Sequence, residues 1–234
     1  NFIIKKADRL IVEKINIFGN NITRENVIRN QFEVDEGDPY NEILKNKTEN
    51  NLKSLGFFKN VSSEVIDGSA PNNKIINISL EEKPTGEISA GAGFGTDGAS
   101  FMFSVSENNY LGKGVKVDNE LTINGESMKG SLTVSNPNLN NSNNAGYASL
   151  EALETDRFST SGYKTNKYGF SFGSAFEFFD DTKFGLGTSN YYEKISTNST
   201  ASARQKKQEG DYWDTFINLN LDYDKRNQKF QTTD

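Results

Sequence analysis

The chain contains no cysteine and no histidine among its 234 residues. Without these two residue types it cannot form a disulfide, a thiol nucleophile, a Ser-His-Asp triad or a zinc site built from the usual ligands. Carboxylates remain, but short acidic clusters such as those at residues 179–181 and 222–224 are typical of turns and solvated faces. We therefore expect a protein that is not an enzyme and that uses no metal or cofactor.

Long apolar runs and an excess of positive charge are also missing. Hydrophobic residues make up 34% of the chain, and no stretch approaches the ~20 consecutive apolar residues that a membrane-spanning helix needs. The net charge is -6, and the short basic cluster at residues 204–208 stands beside Glu209 and Asp211. A helical membrane protein and a nucleic-acid partner are therefore both unexpected.

The sequence pattern changes near Lys83-Pro84-Thr85. Before this point strands and helices mix, whereas alternating strands separated by turn residues run from there to the end. We therefore predict two domains, residues 1–84 and 85–234. Because the chain begins with Asn instead of Met and shows no apolar leader, we also expect an internal piece of a longer protein.

The first domain is predicted to begin with a strand at residues 10–20, which ends in a Gly-Asn-Asn turn. Thr23 can cap the helix that follows, and the preceding Ile22 would pack on Val27 as a hydrophobic staple. Further along, Ile28 and Phe32 extend the buried stripe of this helix.

A second helix is predicted after the turn at residues 37–39, with Asn41 as its cap. Its apolar seam consists of Leu44, Leu52 and Leu55. If Gly56 adopts the left-handed conformation just past the helix, Phe57 and Leu52 are the pair that meet in a Schellman motif.

Phe58 then begins a strand that forms a hairpin with residues 73–82, whose Ile76, Ile78 and Leu80 share one face. The predicted order is strand, helix, helix, strand, strand. This order, together with the motifs "GDPY", "LGFFKNV" and "ISLEEKP", resembles a POTRA domain, the periplasmic module of BamA-type outer-membrane assembly factors. The resemblance covers residues 7–84.

From residue 86 onward, apolar residues recur with a period of two. In the first segment Ile88, Ala90, Ala92 and Phe94 share one face, and Glu87, Ser89, Gly91 and Gly93 share the other. About eight such segments follow one another, near the ~9–11 residues that cross a bilayer as a strand. The glycines of the first segment imitate a phosphate-binding loop, but a strand follows them where that motif requires a helix.

Two further features favour an outer-membrane barrel over a soluble sandwich. Charged residues and glycines occupy the polar faces strand after strand, while aromatic residues recur near strand ends, as membrane girdles require. Tight connections at "YLGKG", "NPNL" and "FDDT" also interleave with longer predicted ones at residues 154–166 and 193–213. The short "GTDG" connection is the exception to this alternation.

The same region resembles the barrel of the BamA family. Residues 84–114 are similar to its first two strands, where a glycine-rich strand precedes an aromatic-Leu-Gly-x-Gly turn, here Tyr110, Leu111, Gly112 and Gly114. "LTVSNPNL" resembles the fourth strand and its turn, and residues 221–234 resemble the eighth strand and the turn after it. The resemblance implies an α+β POTRA domain followed by about the first eight of sixteen antiparallel barrel strands, so the sequence is expected to end in mid-barrel.

This resemblance also implies a function and a location. The family folds and inserts unfolded outer-membrane proteins in Gram-negative bacteria, with the POTRA domains in the periplasm and accessory assembly lipoproteins as partners besides the lipid bilayer. The first barrel strand would then template a client by β-augmentation, because its small residues hold a seam weakly. This predicted client-binding strand comprises Gly86, Glu87, Ile88, Ser89, Ala90, Gly91, Ala92, Gly93, Phe94 and Gly95. The predicted docking surface for accessory proteins is the acidic turn of Glu33, Asp35, Glu36 and Asp38.

Three alternatives stay open at this point. A two-partner secretion translocon or autotransporter assembly factor of the same superfamily would share the POTRA domain and barrel. A passive porin would not need a POTRA domain, and a secreted adhesin would carry a soluble β domain. For the glycines of the first strand, the alternative is that they relieve crowding in a curved sheet.

Overall fold

A computed structural model describes residues 9–95, 98–142, 144–179 and 181–225. The chain divides into two compact units, Asn1–Thr85 with Leu111–Lys113, and Gly86–Tyr110 with Gly114–Asp234. Within the described ranges no helix has the length and apolar character needed to span a membrane. That residues 1–84 and 85–234 act as separate domains stays a prediction.

The first unit has the predicted order of elements. They are β1 (Ile11–Phe18), α1 (Glu25–Arg29), α2 (Glu42–Ser54), β2 (Phe58–Asp67) and β3 (Asn73–Glu82). The sheet has the order β1-β3-β2, with β1 parallel and β2 antiparallel to the central strand β3. The buried core includes Ile76, Ile78 and Leu80 of β3, as their alternation predicts, together with Val27 and Ile28 of α1.

The second helix begins and ends as predicted. Asn41 caps it, because its side-chain Oδ1 accepts a hydrogen bond of 2.9 Å from the backbone N–H of Ile43. Gly56 has φ +73° and its N–H donates to the Lys53 carbonyl at 3.2 Å. Leu52 and Phe57, on either side of this turn, are both buried in the core.

The start of α1 differs from the prediction. The cap position is held by Arg24 instead of the predicted Thr23, and the Arg24 side chain makes no capping hydrogen bond. Ile22 is 68% exposed, so the predicted staple on Val27 is also wrong. The reason is a partner distant in sequence, since the Glu82 carboxylate at the end of β3 accepts the backbone N–H of Thr23 at 2.7 Å.

The same Glu82 carboxylate also accepts the backbone N–H groups of Asn21 at 2.8 Å and Ile22 at 2.9 Å. Partial burial raises the pKa of Glu82, but hydrogen bonds from the Thr23 side chain and from these three backbone N–H groups outweigh it. The pKa of Glu82 therefore lies below its ordinary value of 4.5.

The second unit contains one antiparallel sheet of eight strands, each paired with the next along the chain. The strands are β4 (Gly86–Gly95), β5 (Gly98–Tyr110), β6 (Val115–Asn124), β7 (Ser127–Asn136), β8 (Ala145–Arg157), β9 (Tyr163–Phe179), β10 (Thr182–Thr197) and β11 (Gly210–Tyr223). A 3-10 turn (Leu139–Asn141) precedes β8, and a short helix, α3 (Ala203–Lys206), lies between β10 and β11. The predicted POTRA fold followed by a run of eight antiparallel strands is confirmed.

Five strands are longer than predicted. The strands β5, β8, β9, β10 and β11 have 13, 13, 17, 16 and 14 residues, beyond the ~9–11 that cross a bilayer. The long connection predicted at residues 154–166 is therefore wrong, because β8 and β9 continue to pair through Asp156↔Lys164 and Arg157↔Tyr163. The connection between β10 and β11 remains long, at residues 198–209. The turns predicted at Thr96-Asp97 and at residues 228–234 fall outside the described residues.

Candidate functional site: the edge strand β4

The ten residues predicted to bind a client form one strand at the edge of the eight-stranded sheet. β4 pairs with β5 from Gly86↔Glu107 to Gly95↔Gly98. Among the described residues, no strand pairs with the other side of β4, and β11 is the corresponding edge strand at the far end. An unpaired strand edge carries free backbone donors and acceptors, which are especially unfavourable in lipid.

The two faces of β4 differ in chemistry. Ile88 is 83% exposed and Phe94 is 91% exposed on the apolar face. The other face, here called the polar face, carries Glu87 and Ser89, and the Ser89 hydroxyl donates to Glu87 Oε1 at 3.1 Å. The same polar face continues across the sheet through direct cross-strand neighbours.

Among the described residues, neither a positive φ nor a crowding neighbour requires the glycines on the polar face of β4. Gly91, Gly93 and Gly95 are absent from the residues with positive φ. A Cβ at Gly91 would lie 3.8 Å from Met102 Cε, an ordinary contact, and one at Gly95 would meet nothing within 4 Å. At Gly93 the nearest atom is the Ser100 hydroxyl oxygen, at 3.2 Å, which can rotate away. In the described part of the chain these glycines therefore line an open groove on the unpaired side of β4.

Other glycines of the polar face are enclosed by tyrosines, a feature that the sequence analysis missed. Tyr147 of β8 lies directly opposite Gly173 of β9. A Cβ at Gly173 would lie 2.7 Å from Tyr147 Cε1, and one at Gly187 of β10 would lie 2.7 Å from the Tyr147 hydroxyl oxygen. The signal in the sequence would have been a tyrosine and a glycine at matching polar-face positions, but it requires the register.

The large apolar side chains of the second unit do not form an internal core. Among its described residues, Ala201 is the single buried hydrophobic residue. Exposed apolar residues instead recur along the strands and include Phe101, Phe103, Val105, Leu219 and Leu221. A sheet that presents such a surface is suited to a nonpolar environment outside the protein.

The predicted acidic docking turn has a structural part in the first unit. Glu36 Oε1 accepts the backbone N–H of Ile15 in β1 at 2.9 Å. The Gly37 N–H donates to the Val12 carbonyl at 2.7 Å, and the Val12 N–H donates to the Asp38 carbonyl at 2.9 Å. This segment therefore covers the outer edge of β1.

The remaining acidic residues of the turn also bond locally. Glu33 forms an ion pair of 3.0 Å with Lys47, and Asp38 Oδ2 accepts the backbone N–H of Asp35 at 2.9 Å. In the described part of the chain, no three His, Cys, Asp or Glu side chains converge to hold a metal ion. The use of this turn as a docking surface stays a prediction.

Family models match both units of the chain. The POTRA model, described as surface antigen variable number repeat, matches residues 10–83, and the Omp85 superfamily domain matches residues 109–234. The second match covers more than half of the chain.

Curated relatives carry the name outer membrane protein assembly factor BamA. The Neisseria meningitidis serogroup B protein is 29% identical over 57% of this chain and 17% of its own length. The Neorickettsia risticii protein is 28% identical over 79% of this chain and 25% of its own length. The Buchnera aphidicola protein is 34% identical over 50% of this chain and 20% of its own length. The chain thus spans a quarter or less of these relatives.

Solved structures share the fold. BamA from Haemophilus ducreyi lacking POTRA domains 1-3 has a TM-score of 0.74 and 21% identity, covering 97% of this chain and 46% of that one. CdiB from Escherichia coli has a TM-score of 0.57 and 13% identity, covering 92% and 42%. The family models and relatives together indicate a bacterial outer-membrane location. The chain therefore belongs to the Omp85 superfamily, and within it to the BamA family, as a POTRA domain followed by part of the barrel.

Proposed function

We propose that the protein folds and inserts β-barrel proteins into the outer membrane, and that β4 templates each client by pairing with it along its free edge. The POTRA domain would lie in the periplasm. The observation that carries this proposal is that β4, which is an edge strand among the described residues, has a glycine-lined polar face.

Backbone hydrogen bonding explains why such an edge would capture a client. A strand that enters lipid must satisfy its N–H and C=O groups, because no water is available to do so. The unpaired side of β4 offers complementary groups along its ten residues. An unfolded barrel strand that pairs there satisfies both edges at once, which is the physical basis of β-augmentation.

The composition of β4 also favours a seam that can open. Cross-strand side-chain pairs stabilise sheets, and within β4 Ala90, Ala92 and the glycines have little side chain to contribute. By contrast, β9 and β10 are joined by ring contacts such as Phe176 and Phe184, whose centroids are 5.7 Å apart. The last strand of the barrel would therefore be held at β4 mainly by backbone hydrogen bonds. Few side-chain contacts would be lost when a client strand takes its place.

The first unit suggests where other partners act. Residues 36–40 cover the outer edge of β1, whereas among the described residues no strand pairs with the outer side of β2. The β2 edge is therefore the one we propose for transient binding of unfolded client segments. Accessory assembly lipoproteins would dock on the acidic surface of residues 33–38.

The relatives named above support an assembly factor over the alternative of a secretion translocon. Each curated relative carries the assembly-factor name, whereas the likeness to CdiB is one of fold at 13% identity. The presence of a POTRA domain also disfavours a passive porin, which has no need of one.

Disulfide capture tests the proposed template strand. Because this chain lacks cysteine, Ser89→Cys can be introduced into the full-length protein after any cysteine elsewhere in it has been replaced. The client is stalled during insertion and carries a single cysteine at successive positions of its final strand. We expect an adduct that peaks at one client position.

Ser104→Cys is the matched control. Ser104 lies directly opposite Ser89 on the same face, but its strand β5 is paired on both sides. We expect little capture there. Equal capture at both positions, or none at Ser89 from a folded protein with an engaged client, would overturn the templating role.

A further inference from the structure

Polar-face glycines of this sheet pack against tyrosines at two separate places. At the first, Tyr147 reaches across Gly173 on the adjacent strand to Gly187 on the next one. At the second, Gly169 of β9 lies directly opposite Tyr191 of β10, and a Cβ at Gly169 would overlap the Tyr191 ring. In each case the missing side chain makes room for an aromatic ring from a neighbouring strand.

β4 presents the same face to the same side of the sheet. A row of direct cross-strand neighbours connects β4 to β9 through Ser89, Ser104, Glu120, Ser131, Glu151 and Gly169. Since side chains alternate along a strand, Gly91 and Gly93 lie on the face of Ser89 and hence of Gly169. The groove of β4 is thus equivalent in orientation to the grooves that hold Tyr147 and Tyr191.

The neighbour on the paired side does not fill the groove of β4. Gly91 faces Met102 and Gly93 faces Ser100 on β5. Met102 Cε approaches Gly91 only to an ordinary contact of 3.8 Å. An aromatic ring can therefore enter this groove from the free edge of β4.

We infer that the client strand that pairs with β4 places a tyrosine directly opposite Gly91, with its ring packed on the Gly91 backbone. This inference rests on the proposed templating function, because the occupant is the client strand. Packing a ring on exposed glycine backbone buries apolar area that the glycine itself cannot cover. The phenolic hydroxyl stays on the polar face, as it does in Tyr147. β4 has few large side chains with which to select the alignment of a client strand. A tyrosine that fits only opposite Gly91 would favour one pairing register over the others.

The inference is tested with Ser89→Cys in the full-length protein and a client cysteine placed opposite it. The client residue two positions before that cysteine then lies opposite Gly91 in an antiparallel pair. We vary this residue among Tyr, Leu and Ala and measure the captured fraction. We expect the Tyr client to be captured about three- to tenfold more than the Ala client, with Leu close to Ala.

Filling the groove should abolish this preference. Gly91→Leu is expected to bring capture of the Tyr client down to that of the Ala client measured on the same variant, and the heat-dependent shift in gel mobility shows separately whether the variant folds. Gly91→Ala, whose added Cβ has room, should reduce the preference partly. Ala90→Leu, the matched control on the apolar face, should leave the preference intact.

Each other outcome is decisive. Register-specific capture that is the same for Tyr, Leu and Ala would overturn the tyrosine inference and leave the templating function standing. A gain shared by Tyr and Leu would overturn the requirement for an aromatic ring. If Ser89→Cys captures no client of the series, the templating function and the inference both fail. If Ser89→Cys captures only the last strand of its own barrel, β4 pairs with that strand and not with a client, and both proposals fail.

Discussion

The backbone N–H of Thr23 donates a 2.7 Å hydrogen bond to the carboxylate of Glu82, which lies 59 residues further along the chain. Two adjacent N–H groups, of Asn21 and Ile22, bond to the same carboxylate. Glu82 thus joins the loop before α1 to the end of β3.

Glu82→Ala should destabilise the POTRA fold. It leaves three backbone N–H groups without their acceptor, and after allowance for the partial solvent exposure of the carboxylate we expect a loss of about 1–2 kcal/mol. Hydrogen exchange of the Asn21, Ile22 and Thr23 amides in the intact protein measures this loss directly. Glu81→Ala is the control, because Glu81 forms an exposed ion pair with Lys59. Unchanged protection of the three amides against hydrogen exchange in Glu82→Ala would contradict the prediction.

The Glu82 carboxylate should also make the stability of the POTRA fold depend on pH. Its pKa is lowered in the folded protein, so its contribution is fully present above the ordinary value of 4.5 and is lost as pH falls through the lower folded value. Urea unfolding between pH 6 and pH 3 should show this loss, and Glu82→Gln should show a smaller one. The same slope in both proteins would assign the acid sensitivity to other carboxylates.

Gly56→Ala should destabilise the end of α2 through backbone strain alone. Gly56 has φ +73°, and a Cβ there would meet nothing within 4 Å, so the expected cost of about 1 kcal/mol comes from the left-handed conformation. Urea unfolding followed by the fluorescence of labels in the POTRA fold would measure it. Gly56→Asn should lower the free energy of unfolding less, because Asn tolerates this conformation better than Ala. Equal losses in the two variants would argue against backbone strain as the cause.

Gly173→Ala should impair folding of the barrel. Its Cβ would lie 2.7 Å from Tyr147 Cε1 and 2.8 Å from the Leu186 carbonyl oxygen, and overpacking of this kind costs about 1–3 kcal/mol. The folded fraction after refolding in detergent can be measured by the heat-dependent shift in gel mobility. Gly91→Ala is the matched control, since its Cβ has room, and an equal loss in both variants would mean that the tyrosine contact is not the cause.

Local stereochemistry explains which predictions the structure confirms. The cap at Asn41 and the left-handed Gly56 depend on atoms within a few residues, and the period of two in β4 to β11 is a property of single extended strands. These signals were enough to predict the POTRA order and the run of eight strands. They contain no information about the register in which neighbouring strands pair.

Long-range contacts account for what the sequence analysis missed. The staple of Ile22 failed because Glu82 binds the preceding loop from a distant strand, and β8 and β9 extended beyond their predicted ends because pairing such as Asp156↔Lys164 continued. The acidic turn was predicted as a docking surface, but Glu36 bonds to β1 in the fold. Each of these outcomes depends on a partner that no local pattern identifies.

The sequence by itself thus determined the elements, their faces and the family to which the chain belongs. Only the tertiary structure decided that Gly91 and Gly93 line an open groove while Gly169 and Gly173 are covered by tyrosines. All four residues are glycines on the same face, and they differ in what the neighbouring strand places opposite them. That difference is set by register, which exists only once the strands have paired.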